Sequence, residues 1–217
     1  MSKLIERIRI LKKKNTKVSK IESDQEYENV FFKEITAISD IFAGVSFSNC
    51  LFVECDFSES LFKKCYFDNC IFLDSHFAMT KFPDTRFIDP IFLNCKLTAI
   101  DWSVLKKTIG LSLKLKILRS DLSYSVFSDM DINGSRITRS KLYETVFGEV
   151  KARNTSFRWS DLLRTSFSKS LLLDSDFRNA KNYRFNIVEN ICKGAKFTYP
   201  EVLSLLEEFG IETYVDV

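Results

Sequence analysis

Large apolar and small residues recur along this chain with a period of five. Sorting phenylalanines by position modulo five puts 18 of the 21 in one class, from Phe32 and Phe42 through Phe92, then Phe127 to Phe197. Random placement would give about four, and Leu97, Trp102, Ile117, Leu122, Ile132, Ile137, Leu142, Leu162 and Leu172 fall in the same class. Two residues before most of these centres stands a small side chain, among them Cys50, Cys55, Ser60, Cys65, Cys70, Ser75, Thr80, Thr85, Ser120, Thr155 and Ser175. The other three positions are mostly polar. On an extended chain, residues two apart point the same way, so each pentad turns one large and one small side chain inward.

A five-residue period matches neither a helix at 3.6 nor a simple strand at 2. A Phe at every fifth position would spiral around a helix instead of lining one face. The pattern instead predicts a chain that turns a corner every pentad and stacks its turns about 4.8 Å apart as a solenoid. The inward core comprises Phe47, Phe52, Phe57, Phe62, Phe67, Phe72, Phe77, Phe87, Phe127, Phe147, Phe157, Phe167 and Phe177.

Segments such as Cys55-Asp56-Phe57-Ser58-Glu59, Ser120-Asp121-Leu122-Ser123-Tyr124 and Ser175-Asp176-Phe177-Arg178-Asn179 resemble the motif of the pentapeptide-repeat proteins. The resemblance implies an all-β fold, a right-handed quadrilateral β-helix with four pentads per coil, over residues 27–182. Leu51, Leu61, Tyr66, Ile71 and Lys81 depart from the motif's Asp or Asn, so one flank should be unusually apolar.

Irregular places follow from the same frame. Pro83 to Pro90 should break the pattern locally, because Pro lacks a ladder donor. Ala152 at a centre predicts a void or bulge. Residues 103–116 keep the five-residue phase but put Lys107 and Ser112 at centres, which reads as an excursion from one coil corner. Its lysines Lys106, Lys107, Lys114 and Lys116 are the candidate partner-binding residues, since loops on a rigid scaffold concentrate function.

Both ends need caps. Residues 1–26 read as a basic N-terminal arm or a short amphipathic helix, with Leu4, Ile5, Ile8 and Leu11 at helical spacing. Residues 183–217 read as a C-terminal cap. A helix over 199–209 is predicted by the capping-box pattern Thr198-x-x-Glu201, by Pro200 in the first turn and by Gly210 at the stop. Asn182-Tyr183, Asn190, Lys193–Phe197 and Pro200–Ile211 resemble the ending of microcin-immunity and quinolone-resistance pentapeptide proteins. That resemblance implies homodimerisation through this helix, with Leu203, Leu206, Phe209, Ile211 and Tyr214 at the interface.

Net charge is +3, but residues 1–20 carry +7 and 103–119 carry +5. No secretory pattern or span-length apolar run is present, and six Cys without an oxidising context read as thiols, so a cytoplasmic location is expected. Cys50, Cys55, Cys65 and Cys70 have a spacing that suggests zinc, yet all four fall at the inward small position. His76 stands alone beside a centre. No phosphate loop, nucleophile elbow or zinc-protease pattern is present, so neither an enzyme nor a cofactor is expected. The resemblance implies a scaffold that engages DNA gyrase or another topoisomerase and relieves quinolone or microcin poisoning. Two readings stand beside it: a binding module for an unrelated protein, and a basic binder of nucleic acid or anionic surfaces.

Overall fold

The inward pair of each pentad explains how the chain turns. In the computed structural model, which describes residues 2–14, 17–18, 20–106 and 111–214, the second residue after nearly every centre has a positive φ. Asn29, Asn49, Asn69, Asn94, Asn154 and Asn179 take this left-handed conformation readily, but Glu54, Lys64, Arg119 and Trp159 take it too. The ladder and the core hold those residues there against their local preference.

Four pentads close one coil, and successive coils stack as parallel ladders offset by twenty residues, for example Phe32↔Phe52↔Phe72↔Phe92. The result is a right-handed quadrilateral β-helix of about 7 turns. Face 1 runs through Phe32, Phe52, Phe72, Phe92, Ile117 and Ile137, and includes a seven-stranded parallel sheet from Lys17–Val18 to Arg136–Thr138. Face 2 runs through Phe57, Phe77, Leu97, Leu122, Leu142 and Leu162; face 3 through Phe42, Phe62, Phe82, Trp102, Phe127, Phe147 and Phe167; face 4 through Tyr27, Phe47, Phe67, Phe87, Ile132, Ala152 and Leu172. Rings on one face stack, with Phe47–Phe67 at 4.8 Å and Phe67–Phe87 at 4.7 Å. Rings on adjacent faces meet edge to face, as Phe62 and Phe67 do at 5.5 Å. All thirteen expected core phenylalanines are buried.

The small inward position has a second task. Thr85 Oγ1 accepts from the backbone N–H of Cys65 at 3.1 Å and donates to the carbonyl of Phe62 at 2.6 Å. Ser75 accepts from Cys55 N, and Ser160 joins Ser140 N to the carbonyl of Ile137 in the same way. Each hydroxyl thus satisfies two corner groups that the ladder leaves unpaired. A small polar residue is therefore favoured there, with cysteine as a weaker substitute: Cys70 Sγ donates to the Phe47 carbonyl at 3.5 Å, while Val45, Ile100, Leu115, Met130 and Val150 fill the same position with apolar side chains.

Neither the expected break at Pro83–Pro90 nor a bulge at Ala152 appears in the backbone. Pro90 is buried at an inward small position, where the N–H bonds a side chain instead of the ladder. Its carbonyl still accepts from Lys116 N, and no local break appears between Pro83 and Pro90. Ala152 is fully buried, and its N–H and carbonyl keep their regular partners Leu171 and Thr155, so the backbone carries no bulge there.

The excursion adds one pentad. Ile91 pairs with Lys116 and Asp101 with Val126, an offset of 25 instead of 20. The extra length lies on face 4, between Trp102 on face 3 and Ile117 on face 1. A short 3-10 turn, Trp102–Val104, starts it. Trp102 remains in the core, stacked on Phe127 at 5.7 Å. Parallel bridges continue past residue 182, through Leu171↔Ile191 and Asp176↔Lys196.

Five cysteines, Cys50, Cys55, Cys65, Cys70 and Cys95, are buried free thiols, and Cys192 is half-buried. Burial pushes Cys55 and Cys65 up to about 11 and Cys95 up to about 12. A thiol reagent at mild alkaline pH is therefore expected to modify Cys192 first in the native protein. The other five should react only on unfolding. Rapid native labelling of more than about one thiol would contradict this burial.

Candidate interaction surfaces

The N-terminal segment forms an α-helix, Ser2–Lys14, here called α1. Its face of Leu4, Ile8 and Leu11 packs on Phe31, Leu51, Val53, Ile71, Leu73 and Ile91, the outward apolar positions of face 1. Arg7 donates to the carbonyl of Asn69. The flank expected to be unusually apolar is thus mostly covered by the chain itself. Leu51 and Ile71 have no exposed surface, whereas Leu61, on face 3, remains partly open. Replacing Ile71 by Asp is expected to release α1 while the solenoid stays folded. Faster limited proteolysis before residue 20, with the main melting transition nearly unmoved, would be the readout.

Three of the four excursion lysines lie within the described residues, and acids stand among them. Lys106 is exposed with its N–H bonded to Thr85, Lys114 is exposed, and Lys116 pairs with Asp89 at 3.3 Å. Lys107 lies outside the described residues. A cleft of about 630 Å³ opens beside this segment. Its charged lining is Arg86, Lys106, Lys114 and Lys151 against Asp89, Asp129, Asp131 and Glu149, four of each sign. Acids from neighbouring coils neutralise what reads as a basic stretch in one dimension.

The acids are dispersed as well. Along face 2 one outward position reads Asp56, His76, Lys96, Asp121, Lys141, Asp161, Lys181 from coil to coil. Asp161 lies 3.3 Å from Lys181 and accepts from Tyr143 and Asn182. Asp176 is on face 1, held below the usual carboxylate range by hydrogen bonds from Arg178. Glu34, Glu54 and Asp74 stack on one corner of face 1, but no described face carries acids alone from end to end. His76 is exposed, 4.0 Å from Asp56, and no described group of His, Cys, Asp and Glu has the arrangement of a metal site.

At the C-terminal end, the expected α-helix over 199–209 is replaced by two 3-10 segments, Glu201–Leu205 and Glu207–Phe209. The cap residues are used elsewhere. Thr198 Oγ1 accepts from Asn179 N at 2.8 Å, and Glu201 accepts from Asn182 N. Both therefore stitch the segment to the last coil instead of closing a helical turn. Leu205 is buried, and Ser204 donates to the Tyr183 carbonyl at 2.6 Å. Asn190 takes the inward polar role, accepting from Ser170 N and donating to the Phe167 carbonyl. Gly210 ends the segment at φ 68°. Of the expected interface residues, Leu203 and Leu206 are half-buried and Phe209, Ile211 and Tyr214 are exposed. Val188, Ile191 and Tyr199 are further exposed apolar groups at this end.

A family model described as a pentapeptide repeat region matches residues 45–109. The chain carries the pentapeptide-repeat fold. Two trypsin-treated forms of QnrB1, a plasmid-mediated fluoroquinolone resistance protein, superpose with TM-scores of 0.53 and 0.52. Both are 18% identical; they cover 92% of this chain, and 96% and 95% of their own. HetL, a pentapeptide repeat protein involved in heterocyst differentiation regulation in the cyanobacterium Nostoc, superposes more loosely. Its TM-score is 0.30 at 12% identity, over 80% of this chain and 89% of its own. No curated protein matches in sequence. No described helix of this pentapeptide-repeat chain is long and apolar enough to cross a membrane.

Proposed function

We propose that this chain is a non-enzymatic, cytoplasmic scaffold that pairs through its C-terminal end and binds a partner protein along its faces. DNA gyrase or a related topoisomerase is the proposed partner, and protection from a quinolone or microcin the proposed outcome. The observation that carries the scaffold reading is the apolar C-terminal end. Phe209, Ile211 and Tyr214 stand exposed beside half-buried Leu203 and Leu206, at the open end of a rod that needs covering. The topoisomerase reading rests on the fold shared with a fluoroquinolone resistance protein. The balanced charges of face 2 and of the excursion cleft speak against imitation of duplex DNA over a whole face. Contact through the cleft beside Lys106 and Lys114 fits better. A second reading, a scaffold for an unrelated protein, draws on the same exposed end and needs no topoisomerase.

Two measurements separate these. Light scattering is expected to give a dimer for wild type and a monomer for Phe209→Glu, whose exposed side chain leaves the cap intact. An unchanged mass would remove the end-to-end interface. A gyrase supercoiling and cleavage titration, with and without a quinolone, should show protection near stoichiometric protein. Neither protection nor inhibition would leave the unrelated-partner reading.

A further inference from the structure

Beyond α1 the outward positions of face 1 change character. From Lys116 onward they carry Lys116, Arg119, Arg136, Arg139, Arg158, Arg178 and Lys196, and one acid, Asp176. Apart from Lys116 and Arg119, which belong to the basic stretch 103–119, these residues are spread along the sequence; the twenty-residue coil brings them onto one strip. Lys116 is paired with Asp89, and Arg158 and Arg178 share Asp176. Arg119 and Arg139 occupy the same corner of successive coils, about 4.8 Å apart.

Trp159 lies on that corner, one coil beyond Arg139. It is 50% exposed and holds the left-handed turn position at φ 63°, a conformation that disfavours a bulky side chain. The Arg139 guanidinium lies over its ring, 5.5 Å from the centroid. Tyr199, 64% exposed, lies just past the last bridge of this face, Asp176↔Lys196. Lys116 to Lys196 spans four coil steps, about 19 Å. At a stacked spacing of 3.4 Å that is about five nucleotides.

We infer that this strip of face 1, from Arg119 and Arg136 through Arg139, Arg158 and Trp159 to Tyr199, is a binding site for single-stranded nucleic acid. The guanidinium groups meet the phosphates, and the Trp159 and Tyr199 rings give bases a stacking surface. A duplex hides its base faces and leaves both rings without a role.

The experiment uses the full chain. The protein has two tryptophans, and Trp102 is fully buried, so a change in emission on titration reports Trp159. The probes are an oligothymidylate of about 12 nucleotides, a duplex of similar length, and heparin as a polyanion without bases. Only the oligothymidylate should quench strongly, with affinity falling steeply as salt rises. By fluorescence anisotropy, Trp159→Ala should weaken binding by about 5- to 100-fold. Arg136→Glu with Arg139→Glu should weaken it at least about tenfold. Arg153→Glu, exposed on face 4, should change it by less than about twofold. Circular dichroism and a melting curve establish that each variant is folded. Neither quenching nor an anisotropy change at low salt would overturn the site. So would duplex or heparin binding as tight as the oligothymidylate's with no effect of Trp159→Ala, which would make the strip a general polyanion surface.

Discussion

Phe67→Ala should lower the stability of the solenoid by about 3–5 kcal/mol, among the largest losses from a single truncation in this molecule. Phe67 is 1% exposed and stacks on Phe47 and Phe87 at 4.8 and 4.7 Å. It also meets Phe62 and Phe72 edge to face at 5.5 and 5.7 Å. Truncation removes the ring from all four contacts. The backbone cannot collapse into the gap, because hydrogen-bonded coils above and below fix its spacing. The effect is large against the stability of an ordinary domain. Denaturant unfolding monitored by circular dichroism measures it. A change below about 1 kcal/mol would mean that the stack is not continuous.

Thr85→Val should cost about 2–4 kcal/mol although the shape is nearly unchanged. The hydroxyl accepts from Cys65 N and donates to the Phe62 carbonyl, both inside the rod. Valine leaves one donor and one acceptor buried without partners, each at about 1–3 kcal/mol. Thr85→Ser keeps both bonds and loses only a methyl group, for about 1 kcal/mol. The contrast separates hydrogen bonding from packing. Equal melting temperatures for the valine and serine variants would show that the corner groups find other partners.

The two predictions test the two inward positions of the pentad, and both positions were readable in one dimension. Period five, a large centre and a small residue two before it follow directly from an extended chain that turns repeatedly. The core phenylalanines, the inward cysteines and the outward His76 were assigned from that alone. Four pentads per coil came from the family resemblance, since a period of five is compatible with other polygons. That polar residues are favoured at the inward small position had a signal, the Ser/Thr excess there. Its reason became visible only when the hydroxyls were seen joining coils.

What lay outside the reach of pattern was everything set by stacking between coils and by docking of segments on faces. Leu51 and Ile71 read as an open apolar flank, but α1 covers them, because its own stripe of Leu4, Ile8 and Leu11 needs the same burial. Lys106 and Lys114 read as a basic loop, but Asp129, Asp131 and Glu149 arrive from later coils and balance it. Thr198 and Glu201 read as a helix cap, but the last coil offers unpaired N–H groups at Asn179 and Asn182, which take both. Charge patterning failed in the opposite direction for Arg119, Arg139 and Trp159. Each is separated from the next by one coil of chain, so Arg119 reads as the end of the basic stretch 103–119 and nothing local joins it to Arg139 and Trp159. The sequence by itself determined the inside of the rod, because one repeated inward pair dictates both turn and core. Only the tertiary structure decided its outside, because surface neighbours here are twenty or twenty-five residues apart and their charges combine across coils.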